Sequence, residues 1–498
     1  MKILSADQIK ELDAYTIQNE PVSSIELMER AAKAATRQIT NDFTTEERIH
    51  IFCGPGNNGG DGLAMGRLLN EAGYTVHIYK VEVSKNKSED FEANLKRLKN
   101  KGLSAKQITS PDELPILNDG IIIDALFGSG LTRQADGIAA ACIKHLNESK
   151  GVKIAIDIPS GLFTEDNDRN TGAIFEAEYT LTFQLPKLAF FFAENSPYTG
   201  EVRILPIGLS EEFIDNAATD YVLADRDYVR NLRKPRHPFS HKGTYGHSCI
   251  VAGSLGQIGA AVLAGKSCLK SGSGLVTMRV PKCGYEITQT LIPEAMCIPD
   301  DSEEYLKGDM DYGKFTAVGI GPGIGTANET RFMLEELIRT EDIPVVLDAD
   351  ALNIMVEFDY IKRKLTKGSI LTPHPGEFKR LFGDHPPIKR LEIIKEFTSA
   401  TGCYLVYKDH YTFTVTPEGN VFFNNTGNPG MATGGSGDVL TGLITGLYAQ
   451  GYSAQDACVL GVYLHGTAGD IAVDEKYSAE ALCASDLIDF INKAWLSL

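Results

Sequence analysis

The stretch IFCGPGNNGGDG at residues 51–62 decides how the first half of this chain folds. Its apolar start predicts a β-strand, and Gly54, Gly56 and Gly59 follow at the G-x-G-x-x-G spacing of a turn that leads from a strand into a helix. Glycine lets a ligand approach the backbone closely, and this spacing is typical of dinucleotide-binding loops. A single match also fits a tight turn without a ligand, so the spacing predicts the strand and the helix and leaves the ligand open.

Three polar side chains set this loop apart from a simple phosphate-binding turn. Asn57 and Asn58 fill its variable positions, and Asp61 follows directly. A pyrophosphate is held mainly by backbone N–H groups, and a carboxylate beside it is repulsive unless a cation or a catalytic task accounts for it. The loop therefore indicates chemistry other than ordinary cofactor binding.

The rest of the first half alternates apolar runs with amphipathic segments. Strands that alternate with helices in this way predict βαβ units and a parallel sheet covered on both faces. Two helices precede the first strand, since Ser5 with Gln8 and Ser23 with Glu26 each form a capping-box pattern. The predicted strands are 50–53, 75–80, 121–126, 153–158 and 179–183.

A second α/β series follows an irregular stretch that contains RKPRHP, and we place the domain boundary near residues 210–225. The expected domains are 1–215 and 225–498, both of the α/β class. Three long helical stretches are predicted after residue 442. The strands predicted in this half are 248–253, 275–280, 316–321, 344–350, 369–374 and 403–408.

Composition excludes several classes of protein. The net charge of −18 argues against nucleic-acid binding, which requires a basic surface. The N-terminal segment has no apolar core of a secretory signal, and no stretch approaches the roughly 20 apolar residues of a membrane span. The nine cysteines are scattered without a C-x-x-C pair, which favours free thiols in a reducing compartment. We expect a cytoplasmic enzyme that works on small molecules, not at a membrane, and that forms a homo-oligomer.

Polar side chains end two further predicted strands of the first half. Asp124 closes IIIDAL, and Asp157 and Ser160 follow KIAIDI. The carboxyl ends of parallel strands lie along one edge, so these three should meet Asn58 there. Hard oxygen donors of this kind suit an alkali or alkaline-earth cation. Each aspartate alone also fits a helix N-cap.

The segments GPGNNGGDG, DALFGSGL and DIPSG together resemble the NAD(P)H-hydrate epimerase domain, a Rossmann-like three-layer αβα sandwich, over about residues 1–215. The resemblance implies potassium binding by Asn58, Asp124 and Ser160. It also implies interconversion of the R and S epimers at the hydrated C6 of damaged NADH or NADPH. We hypothesise that Asp157 is the acid/base group. The substrate contacts implied by the resemblance are Asn57, Asn58, Gly59, Gly60, Asp61, Gly128, Ser129, Gly130, Leu131, Thr132, Arg133, Gln134 and Asp157.

The second half contains NPGMATGGSGDVLTG at residues 428–442. Gly434, Gly435 and Gly437 precede a long apolar helix, and consecutive N–H groups at such a terminus form an anion site. Asp438 lies at its mouth, where it can accept a hydroxyl proton beside a bound phosphate. The same aspartate also fits a favourable first-turn acid.

G-x-G-D at a helix start resembles the ribokinase-like fold, and four segments narrow this to the ADP- or ATP-dependent NAD(P)H-hydrate dehydratase over about residues 225–498. These segments are 241–277, 319–325, 348–353 and 372–378. The resemblance to the fused form implies dehydration of the S epimer with ADP as co-substrate, which gives AMP and phosphate, together with Mg²⁺. Ala252 or its neighbours, Gly323, His374 and Asp438 would contact the hydrate. Lys408, Asp409, His410, Tyr411, Thr412 and Gly437 would hold the nucleotide.

One position departs from the family pattern. The family has Lys-Gly-x-x-Thr where this chain reads KDHYT, so Asp409 replaces a glycine beside the expected phosphate. Aspartate tolerates a positive φ better than most residues, but its charge opposes a phosphate. The chain therefore departs from the family pattern at the expected contact with the nucleotide.

Three other functions compete with this interpretation. A redox enzyme would need an acidic ribose ligand after the second strand, for which Glu82 is the candidate. A small-molecule kinase with an N-terminal regulatory domain fits the GSGD site equally well. A non-catalytic nucleotide sensor would not need Asp157 and Asp438 as ionisable groups. His374 and Glu377 also form an i,i+3 pair that is weak evidence for a metal site.

Overall fold

The computed structural model describes residues 1–308, 310–339 and 343–498. The chain divides into two compact units. One contains Lys2–Thr219, and the other contains Asp220–Leu498 together with Met1. Each unit is an α/β fold with its own sheet, so the predicted α/β class is confirmed for both. No helix in the described ranges is long and apolar enough to cross a membrane.

The first unit contains a seven-stranded sheet in which all neighbours are parallel. Its strands are β1 (Arg48–Cys53), β2 (Thr75–Val81), β3 (Ala105–Ile108), β4 (Ile121–Ala125), β5 (Val152–Ile156), β6 (Tyr179–Phe183) and β7 (Glu201–Leu205). Its helices are α1 (Ala6–Asn19), α2 (Ser24–Asp42), α3 (Asn57–Glu71), α4 (Glu89–Asn100), α5 (Gly137–Glu148), α6 (Ser196–Thr199) and α7 (Glu211–Asn216).

The strand order β3-β2-β1-β4-β5-β6-β7 is that of a doubly wound, Rossmann-like sheet. Its order reverses between β1 and β4, and ligands bind in the crevice outside the carboxyl ends at such a point. The buried strands read as apolar runs because helices cover both faces, as in β4, where every residue is buried. The loop at 51–62 therefore ends the strand at which the crevice opens.

Two glycines of this loop are required by packing. A Cβ on Gly54 would lie 1.9 Å from the carbonyl oxygen of Leu126, and one on Gly59 would lie 1.8 Å from the carbonyl oxygen of Gly54. The glycines thus let the end of β1 approach both the end of β4 and the first turn of α3. This close approach explains the glycine spacing without a bound cofactor.

The second unit contains a ten-stranded sheet within the described ranges. Its strands are β8 (Tyr221–Leu223), β9 (His247–Val251), β10 (Leu275–Val280), β11 (Met296–Pro299), β12 (Ala317–Ile320), β13 (Val345–Leu347), β14 (Ile370–Leu371), β15 (Tyr404–Tyr407), β16 (Phe413–Val415) and β17 (Val421–Phe423). Its helices are α8 (Arg226–Leu232), α9 (Ile258–Lys270), α10 (Tyr285–Leu291), α11 (Asn328–Arg339), α12 (Ala349–Glu357), α13 (Asp359–Lys362), α14 (Pro375–Phe382), α15 (Pro387–Thr401), α16 (Ser436–Ala449), α17 (Ala454–Glu475) and α18 (Ala484–Ser497).

The strand order is β11-β10-β9-β12-β13-β14-β15-β16-β17-β8, and the run from β11 to β15 is parallel. Its order reverses between β9 and β12, which puts a second crevice at their carboxyl ends. Helices α16, α17 and α18 contribute most of a large apolar core. The glycine-rich start of α16 therefore belongs to a buried, rigid helix.

The elements that the sequence predicts with strong patterns are present. The capping boxes at Ser5 and Ser23 start α1 and α2, and the three long C-terminal helices are α16 to α18. All eleven predicted strands coincide with observed ones within a few residues. Strands β3, β7, β8, β11, β16 and β17 were not predicted, and most of them are short or carry charged residues.

Candidate active sites

A cleft of about 890 Å³ opens at the carboxyl edge of the first sheet. Helices α1, α2 and α3 and the segments after β4 and β5 supply its walls. Most substrate-contact residues predicted for the first half line it, namely Asn57, Asn58, Asp61, Gly128, Ser129, Gly130, Leu131, Arg133, Gln134 and Asp157. A cavity of this size accommodates a large part of a dinucleotide.

Gly59, Gly60 and Thr132 are predicted contacts that are not among the residues lining this cleft. A Cβ on Gly60 would lie 2.8 Å from the sulfur of Met28, so Gly60, like Gly59, serves the packing of α3. Their direct contact with a substrate stays a prediction.

The three predicted potassium ligands meet around one backbone carbonyl. Asp124 is fully buried, and its Oδ1 accepts the hydroxyl of Ser160 at 2.7 Å. Ser160 Oγ also lies 3.3 Å from the carbonyl oxygen of Phe127, to which Asn58 Nδ2 donates at 2.8 Å. Burial raises the pKa of Asp124 to about 6, although hydrogen bonds from Ser160 oppose that shift.

The amide oxygen of Asn58 provides the test of whether a cation fits here. This Oδ1 is buried and has no hydrogen-bond partner. An unpaired buried oxygen costs about 1–3 kcal/mol unless another group satisfies it. With the oxygens of Asp124, Ser160 and Phe127 nearby, the donors are those that an alkali cation prefers. The residues present therefore fit potassium.

Asp157 follows β5 and combines a strained backbone with a buried ion pair. Its φ is 67°, in the left-handed region that few residues other than glycine adopt. Its Oδ1 pairs with the ammonium of Lys187, whose side chain is 1% exposed, and its Oδ2 accepts the N–H of Ser129 at 3.3 Å. Lys187 also donates to Thr182 Oγ1 at 2.6 Å. The Asp157 carboxylate is thus fixed at the floor of the cleft.

Sequence reasoning missed several ionisable residues of this cleft, among them Asp13 on α1 and Lys187 after β6. Burial raises the pKa of Asp13 to about 6, and Asp157 adds to the shift while Lys187 opposes it. Burial also raises the pKa of Asp61 well above its usual range, with further contributions from Asp157 and Asp13. A lysine within the apolar run QLPKLAFFF was the available signal for Lys187.

Glu82, the candidate ribose ligand of a redox enzyme, does not line the cleft. It instead forms an ion pair of 2.8 Å with Lys80. This arrangement weighs against a redox role for the first unit.

Asp438 lies in the first turn of α16, whose N-cap Gly435 has φ 92°. Burial raises the pKa of Asp438 to about 7, and repulsion from Asp348 adds to the shift while Lys408 opposes it. A carboxylate with this pKa exchanges protons near neutral pH, as a general base requires. The glycine before it leaves the N–H groups of the helix start accessible to an anion.

Lys408 follows β15 and is held beside this helix start. Its Nζ donates to Asp348 Oδ1 at 2.7 Å and lies 3.9 Å from Glu377 Oε2. A Cβ on Gly437 would lie 3.3 Å from the same Nζ. Burial alone would lower the pKa of Lys408, but Asp348 and Glu377 reverse the shift and raise it. The ammonium of Lys408 therefore lies beside the glycine-lined start of α16.

The remaining residues of the KDHYT segment form the turn between β15 and β16. The non-glycine residues with positive φ in the described ranges are Asp157, Gln184 and Ala349, so Asp409 adopts ordinary backbone geometry. Its Oδ1 accepts the N–H of His410 at 2.8 Å, and its carbonyl accepts the hydroxyl of Thr412 at 3.1 Å. Aspartate in place of the family's glycine thus causes no backbone strain here.

Gly323 and Ala252, two predicted contacts with the hydrate, lie in different surroundings in the second unit. Gly323 has φ 60°, and its carbonyl accepts the hydroxyl of Ser254 at 2.8 Å. Ala252 is 0% exposed in the core, so its neighbour Ser254 is the better placed of the two. The contact of Ala252 with the hydrate stays a prediction.

The residues of the HPGE segment at 374–377 serve as a helix cap. His374 Nδ1 accepts the N–H of Gly376 at 3.0 Å, and Glu377 accepts the N–H of His374 at 2.9 Å. This capping box starts α14, which accounts for the His–Glu pair without a metal. Across the described ranges no group of three or more His, Cys, Asp or Glu side chains is arranged to hold a metal ion.

Comparison with known proteins matches both halves of the chain. The NAD(P)H-hydrate dehydratase family matches residues 248–493, and the family described as YjeF-related protein N-terminus matches residues 24–189. The bifunctional NAD(P)H-hydrate repair enzyme of Moorella thermoacetica is 34% identical over 99% of this chain and 96% of its own length. The chain belongs to the family of bifunctional NAD(P)H-hydrate repair enzymes.

Other members of this family are similarly related. The enzyme of Coxiella burnetii is 33% identical over 97% of both chains, and that of Thermofilum pendens is 31% identical over 100% of this chain. A solved ADP/ATP-dependent NAD(P)H-hydrate dehydratase from Bacillus subtilis is 32% identical over 56% of this chain and 99% of its own, with a TM-score of 0.48. The resemblance inferred from the sequence motifs is confirmed by these relatives.

Proposed function

We propose that the two crevices perform successive steps in the repair of hydrated NADH and NADPH. The first unit interconverts the R and S hydrates, and the second dehydrates the S epimer at the expense of ADP, which is cleaved to AMP and phosphate. The main support for this proposal is that each sheet edge presents its own partly buried carboxylate. Asp157 lies in the cleft of the first unit, and Asp438 lies at the glycine-rich start of α16 in the second. We expect a cytoplasmic homo-oligomer with an epimerase domain at 1–215 and a dehydratase domain at 225–498.

In the epimerase site, the first turn of α3 and the segment 128–134 would position the nicotinamide ring against Asp157. Asn58, Asp124, Ser160 and the Phe127 carbonyl would hold potassium, which offsets the negative charge of the cleft. Asp157 acts as acid/base on the C6 substituent, with its orientation fixed by Lys187 and Ser129. A positioned carboxylate supplies about 10²–10⁴-fold in such proton transfers.

In the dehydratase site, Asp438 takes the proton of the C6 hydroxyl while that oxygen attacks the terminal phosphorus of ADP and AMP leaves. The N–H groups at the start of α16 and the ammonium of Lys408 stabilise the charge that develops on the phosphoryl oxygens. The ring nitrogen then expels phosphate from C6, and loss of a C5 proton restores the dihydropyridine. Mg²⁺ would accompany the nucleotide, and when bound it neutralises phosphate charge.

One assay tests both steps with the same preparation. Without ADP, the protein should equalise a sample enriched in one hydrate epimer, as followed by chromatography, and form no NADH. Addition of ADP should then convert the whole sample to NADH, as followed by the absorbance of the dihydropyridine. The Asp157→Asn variant should dehydrate the S epimer at the wild-type rate and leave the R epimer behind. Failure of the wild-type protein to form NADH with either ADP or ATP would overturn the proposal.

A further inference from the structure

Helix α1 brings an aspartate into the epimerase cleft from outside the segment that the YjeF-related family model matches. The YjeF-related match begins at residue 24, whereas α1 spans Ala6–Asn19. Asp13, together with Ile9, Lys10, Ala14 and Ile17 of the same helix, lines the cleft that also contains Asp157 and Lys187. The helix therefore forms a wall of the site as well as part of an apolar cluster through Leu12.

The environments of Asp13 and Asp157 differ in one decisive respect. Asp157 is paired with a buried ammonium and accepts a backbone N–H, which stabilises its ionised form. Asp13 makes no hydrogen bond or ion pair with any residue that the structure describes, although it is partly buried. A carboxyl group that is desolvated and unpaired favours its neutral form. The cleft thus holds one carboxyl that is paired with a cation and one that has no such partner.

We infer that Asp13 is a second catalytic residue of the epimerase, the general acid that works with Asp157 as general base. This inference rests on the proposed epimerase function and adds the proton donor that a single carboxylate cannot supply. Two carboxyl groups in different environments are the usual arrangement for paired acid–base chemistry.

The step balances with these two groups and the water it releases. Asp13 gives its proton to the C6 hydroxyl, the C6–O bond breaks to release water, and the ring nitrogen lone pair forms a C6=N1 bond. Water then adds to the other face of C6 and gives its proton to Asp157, while the C6=N1 electrons return to nitrogen. In the reverse direction the two carboxyl groups exchange roles, and solvent restores the starting protonation state.

The raised pKa of about 6 for Asp13 supports this role, because burial keeps a fraction of the group protonated near neutral pH. The other charged groups around the cleft are Asp61 on α3, Asp90 on α4, Asp136, Lys10, Lys87 and Arg133. Asp61 is the alternative donor in the same cleft, and burial raises its pKa well above the usual range, with Asp157 and Asp13 adding to the shift.

The test is epimerisation by Asp13→Asn in the full-length protein, with the R and S hydrates of NADPH separated by chromatography in the absence of ADP. We expect the kcat for epimerisation to fall by about 10²–10⁴-fold, with KM changed by less than about threefold. The alkaline limb of the wild-type pH profile should disappear in this variant and persist in Asp13→Glu. Glu11→Gln removes the same charge from an exposed position of α1 and is the matched control, with wild-type kinetics expected.

ADP-dependent dehydration of the S epimer by the same preparations shows that the protein is folded and active. Wild-type epimerisation by Asp13→Asn, in protein that dehydrates normally, would overturn the inference and leave the epimerase function intact. Loss of the alkaline limb in Asp61→Asn, with its retention in Asp13→Asn, would assign the donor to Asp61 and also overturn it. Absence of epimerisation in the wild-type protein would instead contradict the proposed function itself.

Discussion

Lys408 Nζ donates to Asp348 Oδ1 at 2.7 Å, and this contact fixes the ammonium beside the start of α16. The other oxygen of Asp348 accepts the hydroxyl of Thr441 at 2.6 Å, so its carboxylate is held from two sides. Asp348 itself contributes to the raised pKa of Asp438. One aspartate thus orients the ammonium of Lys408, which is proposed to bind the nucleotide, and raises the pKa of the proposed base.

The Asp438→Asn substitution separates the two activities. We predict that it lowers ADP-dependent dehydration by at least about 10²-fold, since a proton acceptor is lost. Epimerisation should continue at the wild-type rate, because the epimerase cleft uses other residues. Chromatography of the two epimers and the formation of NADH measure both activities in one sample. Loss of both activities in a folded variant would contradict two independent sites.

The pH dependence of dehydration should follow Asp438. Its pKa is raised to about 7 by burial first and by Asp348 second, and a base works only when ionised. We therefore predict that kcat/KM rises with pH to a plateau, with a midpoint near 7. In Asp348→Asn the repulsion is removed, so this midpoint should move to lower pH. An unchanged midpoint would show that Asp348 does not influence the base.

Potassium should stabilise the first unit in a saturable way. At a concentration 100 times its Kd, a ligand bound only by the folded state adds about 2.7 kcal/mol to the free energy of unfolding. Thermal unfolding in KCl, compared with LiCl at equal ionic strength, measures this gain. We predict that Asn58→Ala abolishes the response and that Asn57→Ala retains it. An equal response to both salts in the wild-type protein would contradict a specific site.

Asp13 should make the first unit less stable as pH rises. Its folded-state pKa of about 6 exceeds the ordinary value of 3.8, so the folded state binds more protons between these values. Stability from this group is therefore present below about pH 4 and lost as pH rises to about 6, by at most roughly 3 kcal/mol. Asp13→Asn should raise the free energy of unfolding above pH 6 and not below pH 4, as measured by urea denaturation.

A matched control for that measurement is Asp7→Asn, on the same helix. The Asp7 side chain is 89% exposed, and changes at such positions stay within about 0.5 kcal/mol. An equal effect of both substitutions would attribute the stabilisation to helix charge and not to the cleft.

The sequence predicted those parts of the fold and site that local patterns encode. The loop at 51–62 and Asp157 follow strongly apolar strands of one parallel sheet, so the geometry of that sheet was enough to group them. Asp438 was recognised separately, from the apolar helix that begins beside it. Gly59 and Gly60 were assigned to the substrate, and a Cβ at these positions would also meet the Gly54 backbone or Met28, so packing requires them and their contact with the substrate stays a prediction. Local spacing cannot distinguish these two uses of glycine.

Asp13 and Lys187 could not be assigned to the site from their spacing. Asp13 lies on a helix far from the glycine loop in sequence, and only tertiary packing places it in the cleft. Asp348 belongs to the segment 348–353, which supports the family resemblance. Its contacts with Lys408 and Thr441 could not be predicted, because these residues lie on elements far apart in the sequence. Short strands such as β3 and β16 escaped prediction because three or four residues give no reliable period.

Repair of the pure R hydrate requires both crevices of this chain, so its rate is the most direct measure of the proposed function. The R epimer of NADPH hydrate is mixed with the protein, ADP, Mg²⁺ and potassium, and the initial rate of NADPH formation is compared with that of Asp157→Asn. We predict complete recovery of NADPH by the wild-type protein, and a rate in the variant no faster than spontaneous epimerisation. Equal rates in the two proteins, or recovery from the S epimer alone, would contradict it.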